Sequence, residues 1–145
     1  MSNTGFSASG HCRCGDIKFH VTAAPTLTEF CHCESCRRSA GAPLMAWAGF
    51  PRDALAITQG EPVDHEASPG VIRTFCGRCG TSLTLADERF AEDIYVAIAA
   101  FDDPGSTGAI MPEVHIWRSE RLPWIETTDN LPRYVRFVSE GVRDD

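Results

Sequence analysis

Seven cysteines fall in three tight groups: Cys12 and Cys14; Cys31, Cys33 and Cys36; Cys76 and Cys79. None lies outside a group. Thiolates at C-x-C and C-x-x-C spacing bring soft sulfur donors onto one ion, which is metal-site chemistry. A disulfide framework would show an even count and a secretory signal. Here the count is odd, and residues 1–10 hold neither a basic cluster nor an apolar run. A redox C-x-x-C at Cys33 and Cys36 or at Cys76 and Cys79 would open a helix in a βαβ pattern, whereas the surroundings of Cys76 read as strand, turn, strand. Metal binding is the reading we take forward, with scattered structural or redox thiols as the alternative.

The groups are not equivalent. Cys14 is followed by Gly15 and Cys79 by Gly80, and each glycine opens an alternating run. A cysteine pair on a turn, closed by a glycine that tolerates positive φ, lets backbone amides point at the sulfurs. Two such knuckles facing each other supply four sulfurs to a closed structural Zn²⁺ site. The middle group lacks the glycine and runs instead into a short helix over 34–40, with Glu34 early and Arg37 and Arg38 following. Its three thiolates leave a fourth position free for substrate or water, the arrangement of catalytic zinc. The alternative is that His32, or a histidine from elsewhere, closes it. An extended segment would point His32 away from its neighbouring cysteines.

These motifs need strands to carry them. Ile17, Phe19 and Val21 alternate with Asp16, Lys18 and His20, and 82–85 alternates likewise, as half-buried strands do. Residues 44–50, with Trp47, and 95–101 read as buried strands, with Trp47 a candidate for lining a pocket. His115 precedes Ile116 and Trp117 in a strand-like stretch, as a hydrogen-bonded core residue or an acid–base group. Trp124 is expected to pack. Residues 64–70 read as a hairpin turn and 102–108 as a turn-rich loop. The length of 145 residues implies one domain. We expect flexible ends at 1–9 and 138–145, a zinc-binding domain over 10–137, strands in the majority and little helix.

The net charge is −7 and the pI near 5.1, so no phosphate-neutralising surface for nucleic acid is expected. No segment is long and apolar enough for a membrane span, and a cytoplasmic location is expected. Twelve of the thirteen basic residues are arginine, the side chain that forks onto carboxylates.

Gly10-His11-Cys12-Arg13-Cys14-Gly15, Cys31-His32-Cys33-Glu34-Ser35-Cys36-Arg37-Arg38 and Phe75-Cys76-Gly77-Arg78-Cys79-Gly80-Thr81 resemble the three cysteine motifs of the glutathione-dependent formaldehyde-activating enzyme (GFA) family, which includes centromere protein V. Pro112, His115-Ile116-Trp117, Pro123-Trp124 and Asp129-Asn130-Leu131-Pro132 resemble its closing segment. The resemblance implies a mainly β fold, a β-tent of two or three short antiparallel sheets around two Zn²⁺ ions. It implies Cys12, Cys14, Cys76 and Cys79 on a structural ion and Cys31, Cys33 and Cys36 on a catalytic one. The implied activity is that of a carbon–sulfur lyase, adding or removing a small carbonyl compound at a thiol such as glutathione, like S-hydroxymethylglutathione synthase. Glutathione carries carboxylates, so Arg37 and Arg38 read either as holding one of them or as solvated helix residues. The other reading is a non-catalytic zinc module for a partner or for zinc handling; a basic tail would favour it, and the chain ends Arg143-Asp144-Asp145.

Overall fold

Period-two alternation and frequent turns build most of this chain into sheets. The computed structural model describes residues 5–104 and 110–144. In order, its elements are β1 (Ala8–His11), β2 (Lys18–Val21), β3 (Leu27–Cys31), α1 (Glu34–Ala40), β4 (Met45–Pro51), β5 (Leu55–Gln59), β6 (Val63–Ser68), β7 (Val71–Phe75), β8 (Ser82–Asp87), β9 (Asp93–Ala97) and β10 (Val114–Ile116), with short 3-10 turns between. β1, β2 and β5 form a small sheet. The large sheet runs β10-β3-β4-β9-β8-β7-β6. The fold is mainly β with little helix, as the sequence implies. The antiparallel expectation is corrected at one edge, where β10 lies parallel to β3.

Register decides which residues share a face. Leu27, Glu29 and Cys31 of β3 stand opposite Gly49, Trp47 and Met45 of β4. Trp47 and Gly49 in turn face Ala97 and Tyr95 of β9; Leu85 of β8 pairs with Tyr95, and Arg73 of β7 with Leu85. All of these project from one side of the large sheet. The opposite side carries Ala48, Phe50 and Val96, packed with Phe19 and Val21 of the small sheet in the main core. A second apolar cluster, around Cys31, Cys36, Trp47, Tyr95 and Ile116, forms on the first side.

Gly49 makes that second side possible, because a Cβ there would lie 2.8 Å from Tyr95 Cε1. Gly49→Ala is expected to cost about 1–3 kcal/mol through overpacking. A lowered urea midpoint checks this; an unchanged midpoint would show that the Tyr95 ring moves aside freely.

Other expectations need correction. Residues 64–70 are strand as far as Ser68, and only Pro69 and Gly70 turn. Every β6 residue is exposed, so no alternation marks the strand, and backbone pairing with β7 holds it. The expected strand over 95–101 stops at Ala97, and a 3-10 turn at Ile98–Ala100 swings Phe101 onto Phe19 and Phe50. Trp124 is 67% exposed rather than packed. It sits in the strandless 121–132 segment, where Pro123 removes a ladder donor. β1 starts at Ala8. After Phe137 the chain makes a 3-10 turn at Val138–Glu140 and returns to Arg133 through the Asp144 amide. Residues 1–4, 105–109 and 145, and with them 105–108 of the expected 102–108 loop, lie outside the described residues. No described helix is long and apolar enough to cross a membrane.

Candidate metal centres

The first centre forms where two turns meet. Gly15 and Gly80 adopt φ of +82° and +83°, and their amides close the turns onto the Cys12 and Cys76 carbonyls at 3.0 and 2.8 Å. This winding aims backbone donors at sulfur: Ile17 N–H donates to Cys12 Sγ at 3.2 Å, and the Arg78 and Cys79 amides to Cys76 Sγ at 3.4 Å. The knuckles are joined by Arg13 N–H donating to Thr81 Oγ1 at 3.0 Å. The ligand atoms of Cys12, Cys14, Cys76 and Cys79 all lie within 4.8 Å of one another. Cys14 Sγ is 3.6 Å from Cys12 Sγ and 3.8 Å from Cys76 Sγ. Tetrahedral Zn–S bonds of about 2.3 Å would separate sulfurs by about 3.8 Å, so the donor set fits such an ion.

The second centre is built at the step from β3 into α1. Cys31 ends the strand. Cys33 is the helix N-cap, and its sulfur accepts from the Cys36 amide at 3.2 Å. Gly41, in the left-handed region, ends the helix as the C-cap. The three sulfurs cluster within 4.8 Å, and no fourth His, Cys, Asp or Glu joins them among the described residues. Cys36 Sγ accepts two more donors, Trp47 Nε1 at 3.4 Å and Arg73 Nη2 at 3.5 Å. The Cys31 and Cys33 thiols beside it, with the Arg73 guanidinium, hold Cys36 well below the usual thiol range despite its burial. Both clusters could hold metal ions.

His32 does not close the second centre. β3 alternation sends it to the other side of the strand, where it is wholly buried and its Nε2 lies 2.9 Å from His115 Nδ1. His115 Nε2 in turn sits 3.0 Å from both Asp129 oxygens. With His115 donating to Asp129, His32 donates to His115, and both rings are neutral. Burial first, then competition with His115 for a proton and the nearby arginine charges, push His32 down to about 4. His115 is thus a hydrogen-bonded core residue on the far face.

A cavity of about 260 Å³ opens beside the three-cysteine cluster. Cys31, Cys33, Cys36, Trp47, Arg73 and Glu29 line it, with Trp117 and Phe137 covering one side. Trp117 holds φ of +58°, a strained conformation for an aromatic residue, and packs edge-on to Phe137. Arg37 and Arg38, expected to hold a carboxylate, do not line it. Arg37 Nε donates to the His32 carbonyl, and Arg38 pairs with Glu34 across the exposed helix face. The cavity's guanidiniums come instead from Arg73, 9% exposed, and from Arg89, which is clamped on Asp87 at 2.6 Å.

Two further cavity residues escape a sequence reading. Arg73 stands three residues before Cys76, a proximity shared with several surface arginines, so its partner Cys36 is visible only in the fold. Glu29 had a signal: an acid within Leu27-Thr28-Glu29-Phe30-Cys31, two positions from Cys31 and so on the same face. It is 7% exposed, and burial with the Cys36 charge beside it pushes its carboxyl up to about 8.

Comparison with known proteins agrees with this geometry. Residues 7–120 match the family described as glutathione-dependent formaldehyde-activating enzyme. A Halomonas elongata protein provisionally named as such an enzyme is 31% identical over 127 residues, covering 81% of this chain and 78% of its own. An uncharacterized lyase of Schizosaccharomyces pombe is 32% identical over 78 residues, 53% of this chain and 56% of its own. The crystal structure of a Rhodobacter sphaeroides protein superposes with a TM-score of 0.58 at 17% identity, covering 72% of this chain and 96% of that one, which shows a shared fold. With both cysteine clusters inside the matched span, the chain belongs to the glutathione-dependent formaldehyde-activating enzyme family.

Proposed function

We propose that this chain is a zinc-dependent carbon–sulfur lyase that adds or removes a small carbonyl compound at a thiol such as glutathione. One observation carries the reading. Four sulfurs close around one point, whereas three converge at the wall of a cavity with no fourth protein donor in the described cluster. On this reading Cys12, Cys14, Cys76 and Cys79 hold a structural Zn²⁺, and Cys31, Cys33 and Cys36 hold a catalytic one. Zn²⁺ bound by three cysteines supplies a Lewis acid of low net charge, suited to keeping a substrate thiol as thiolate at neutral pH.

The chain's own residues then shape the step. The substrate sulfur pair attacks the carbonyl carbon, a C–S bond forms, and the C=O π pair moves to oxygen, which takes up a proton. The reverse returns the bonding pair to sulfur as the hydroxyl proton leaves. Three thiolates on one divalent ion leave a single net negative charge, and Arg73 offsets it at Cys36 Sγ. Trp47 Nε1 fixes the same sulfur, while Trp117 and Phe137 add apolar surface to the cavity wall.

The test is metal analysis together with ¹³C-formaldehyde NMR. Two Zn per chain and accelerated exchange between formaldehyde and S-hydroxymethylglutathione are expected. Two Zn with no acceleration for glutathione or any simple thiol would sink the lyase reading and favour a zinc module.

A further inference from the structure

We infer that an apolar chamber beside the three-cysteine cluster is the subsite for a hydrocarbon group on the carbonyl reactant, so that substrates include adducts of aliphatic or aromatic aldehydes larger than formaldehyde. The inference rests on the lyase reading and deepens it. The chamber measures about 350 Å³, and Leu27, Leu85, Phe90, Tyr95, Phe137 and Val138 supply its apolar walls. It shares Glu29, Leu85, Asp87 and Phe137 with the cavity at the cysteines, so the two adjoin along a common rim. Formaldehyde has no substituent to fill such a space.

The order along β3 matches the order of atoms in an adduct. Cys31, Glu29 and Leu27 project from one face at successive steps of about 6.7 Å, from the sulfur cluster through a carboxyl to an apolar wall. Sulfur, hydroxyl-bearing carbon and hydrocarbon follow each other in the same sequence. Glu29 is more than nine-tenths buried and borders both spaces, and no hydrogen bond to its carboxyl is found among the described residues. Its carboxyl is placed to accept the hydrogen bond of the adduct hydroxyl. The walls are stiff: Phe137 packs edge-on to Phe90 with centroids 5.1 Å apart, under the Arg89 guanidinium at 5.1 Å.

The lining assigns the chamber to the carbonyl half. Among the described residues, no lysine or arginine lines it to hold either carboxylate of glutathione, whereas an alkyl or aryl group needs no such partner. Each buried methylene is worth about a fourfold gain in affinity.

Two series of rate measurements test this. With glutathione fixed, kcat/KM is expected to rise from formaldehyde through butanal to hexanal. With formaldehyde fixed, lengthening an alkyl thiol is expected to bring no comparable rise. Ser139→Trp, at the chamber rim, should lower the hexanal-to-formaldehyde ratio of kcat/KM by about 10-fold. Binding of 1-hexanol, followed by NMR shifts at Leu27 and Leu85, gives a readout without turnover and should weaken in the same variant. Turnover with no aldehyde preference and no hexanol shifts would overturn the inference and leave the lyase reading intact. A rise in the thiol series alone would place the thiol's substituent in the chamber and overturn it too. Hexanol binding with no turnover of any pair would overturn the lyase reading, and with it the chamber's role toward a reactant.

Discussion

Cys76→Ser is expected to reduce the metal content from two to one per chain and to abolish cooperative unfolding above room temperature. Cys76 is 1% exposed, and its sulfur accepts two backbone amides while facing Cys14 across the knuckle pair. The four-sulfur cluster joins the β1–β2 turn of the small sheet to the β7–β8 turn of the large one. Near it, the Arg13–Thr81 hydrogen bond ties the two knuckles and the Gly10–Phe101 bridge ties β1 to the turn after β9. Structural zinc in small domains contributes about 10–16 kcal/mol of apparent binding free energy, whereas whole domains are stable by only about 5–15 kcal/mol. Loss of the ion therefore exceeds what the main core can absorb. Thermal unfolding monitored by far-UV circular dichroism, with zinc analysis, checks the result. A variant that keeps one metal and melts within a few degrees of the parent would show that the sheets hold without this clamp.

The second large effect separates the two centres. Cys36→Ser is expected to remove the other metal and lower turnover of a thiol–aldehyde pair by about 10³-fold, which corresponds to several kcal/mol of Lewis-acid stabilisation. The melting temperature should fall by only a few degrees. Cys36 sits in the smaller apolar cluster, away from the sheet–sheet core, and α1 keeps its Cys33 N-cap and Gly41 C-cap. Serine leaves an acceptor for Trp47 Nε1 and Arg73 Nη2, so neither donor is stranded by the change. Unfolding as complete as that expected of Cys76→Ser would reveal two structural centres and no catalyst. Full activity without the metal would remove zinc from the chemistry.

Much of the metal chemistry could be read directly from residue order, because it depends on neighbours in the chain. A C-x-C or C-x-x-C pair followed by glycine specifies its own turn, and Gly15 and Gly80 take the positive φ that the spacing demands. The helix over Glu34–Ala40 follows from its own caps and charges. Strand alternation at 17–21 and 82–85 survives as β2 and β8, apart from their ends. β6 was invisible for the converse reason. A strand exposed on every side chain carries no alternation, and only its backbone partner defines it.

By itself, then, the order of residues determined which side chains could be ligands, how they divide into four and three, and that strands would carry them. Tertiary structure alone decided what surrounds the open trio. It moved the cavity's cationic group from Arg37 and Arg38 to Arg73, a residue of β7, which stands four strand pairings from β3 in the same sheet and whose guanidinium meets Cys36 only in the folded chain. It set His32 against His115, itself held by Asp129, and left Glu29 at a cavity rim. The physical reason is range. Turns and caps are specified by residues a few positions apart, whereas the shape and charge of a cavity depend on register among strands far apart in the chain, which exists only once the sheet has formed.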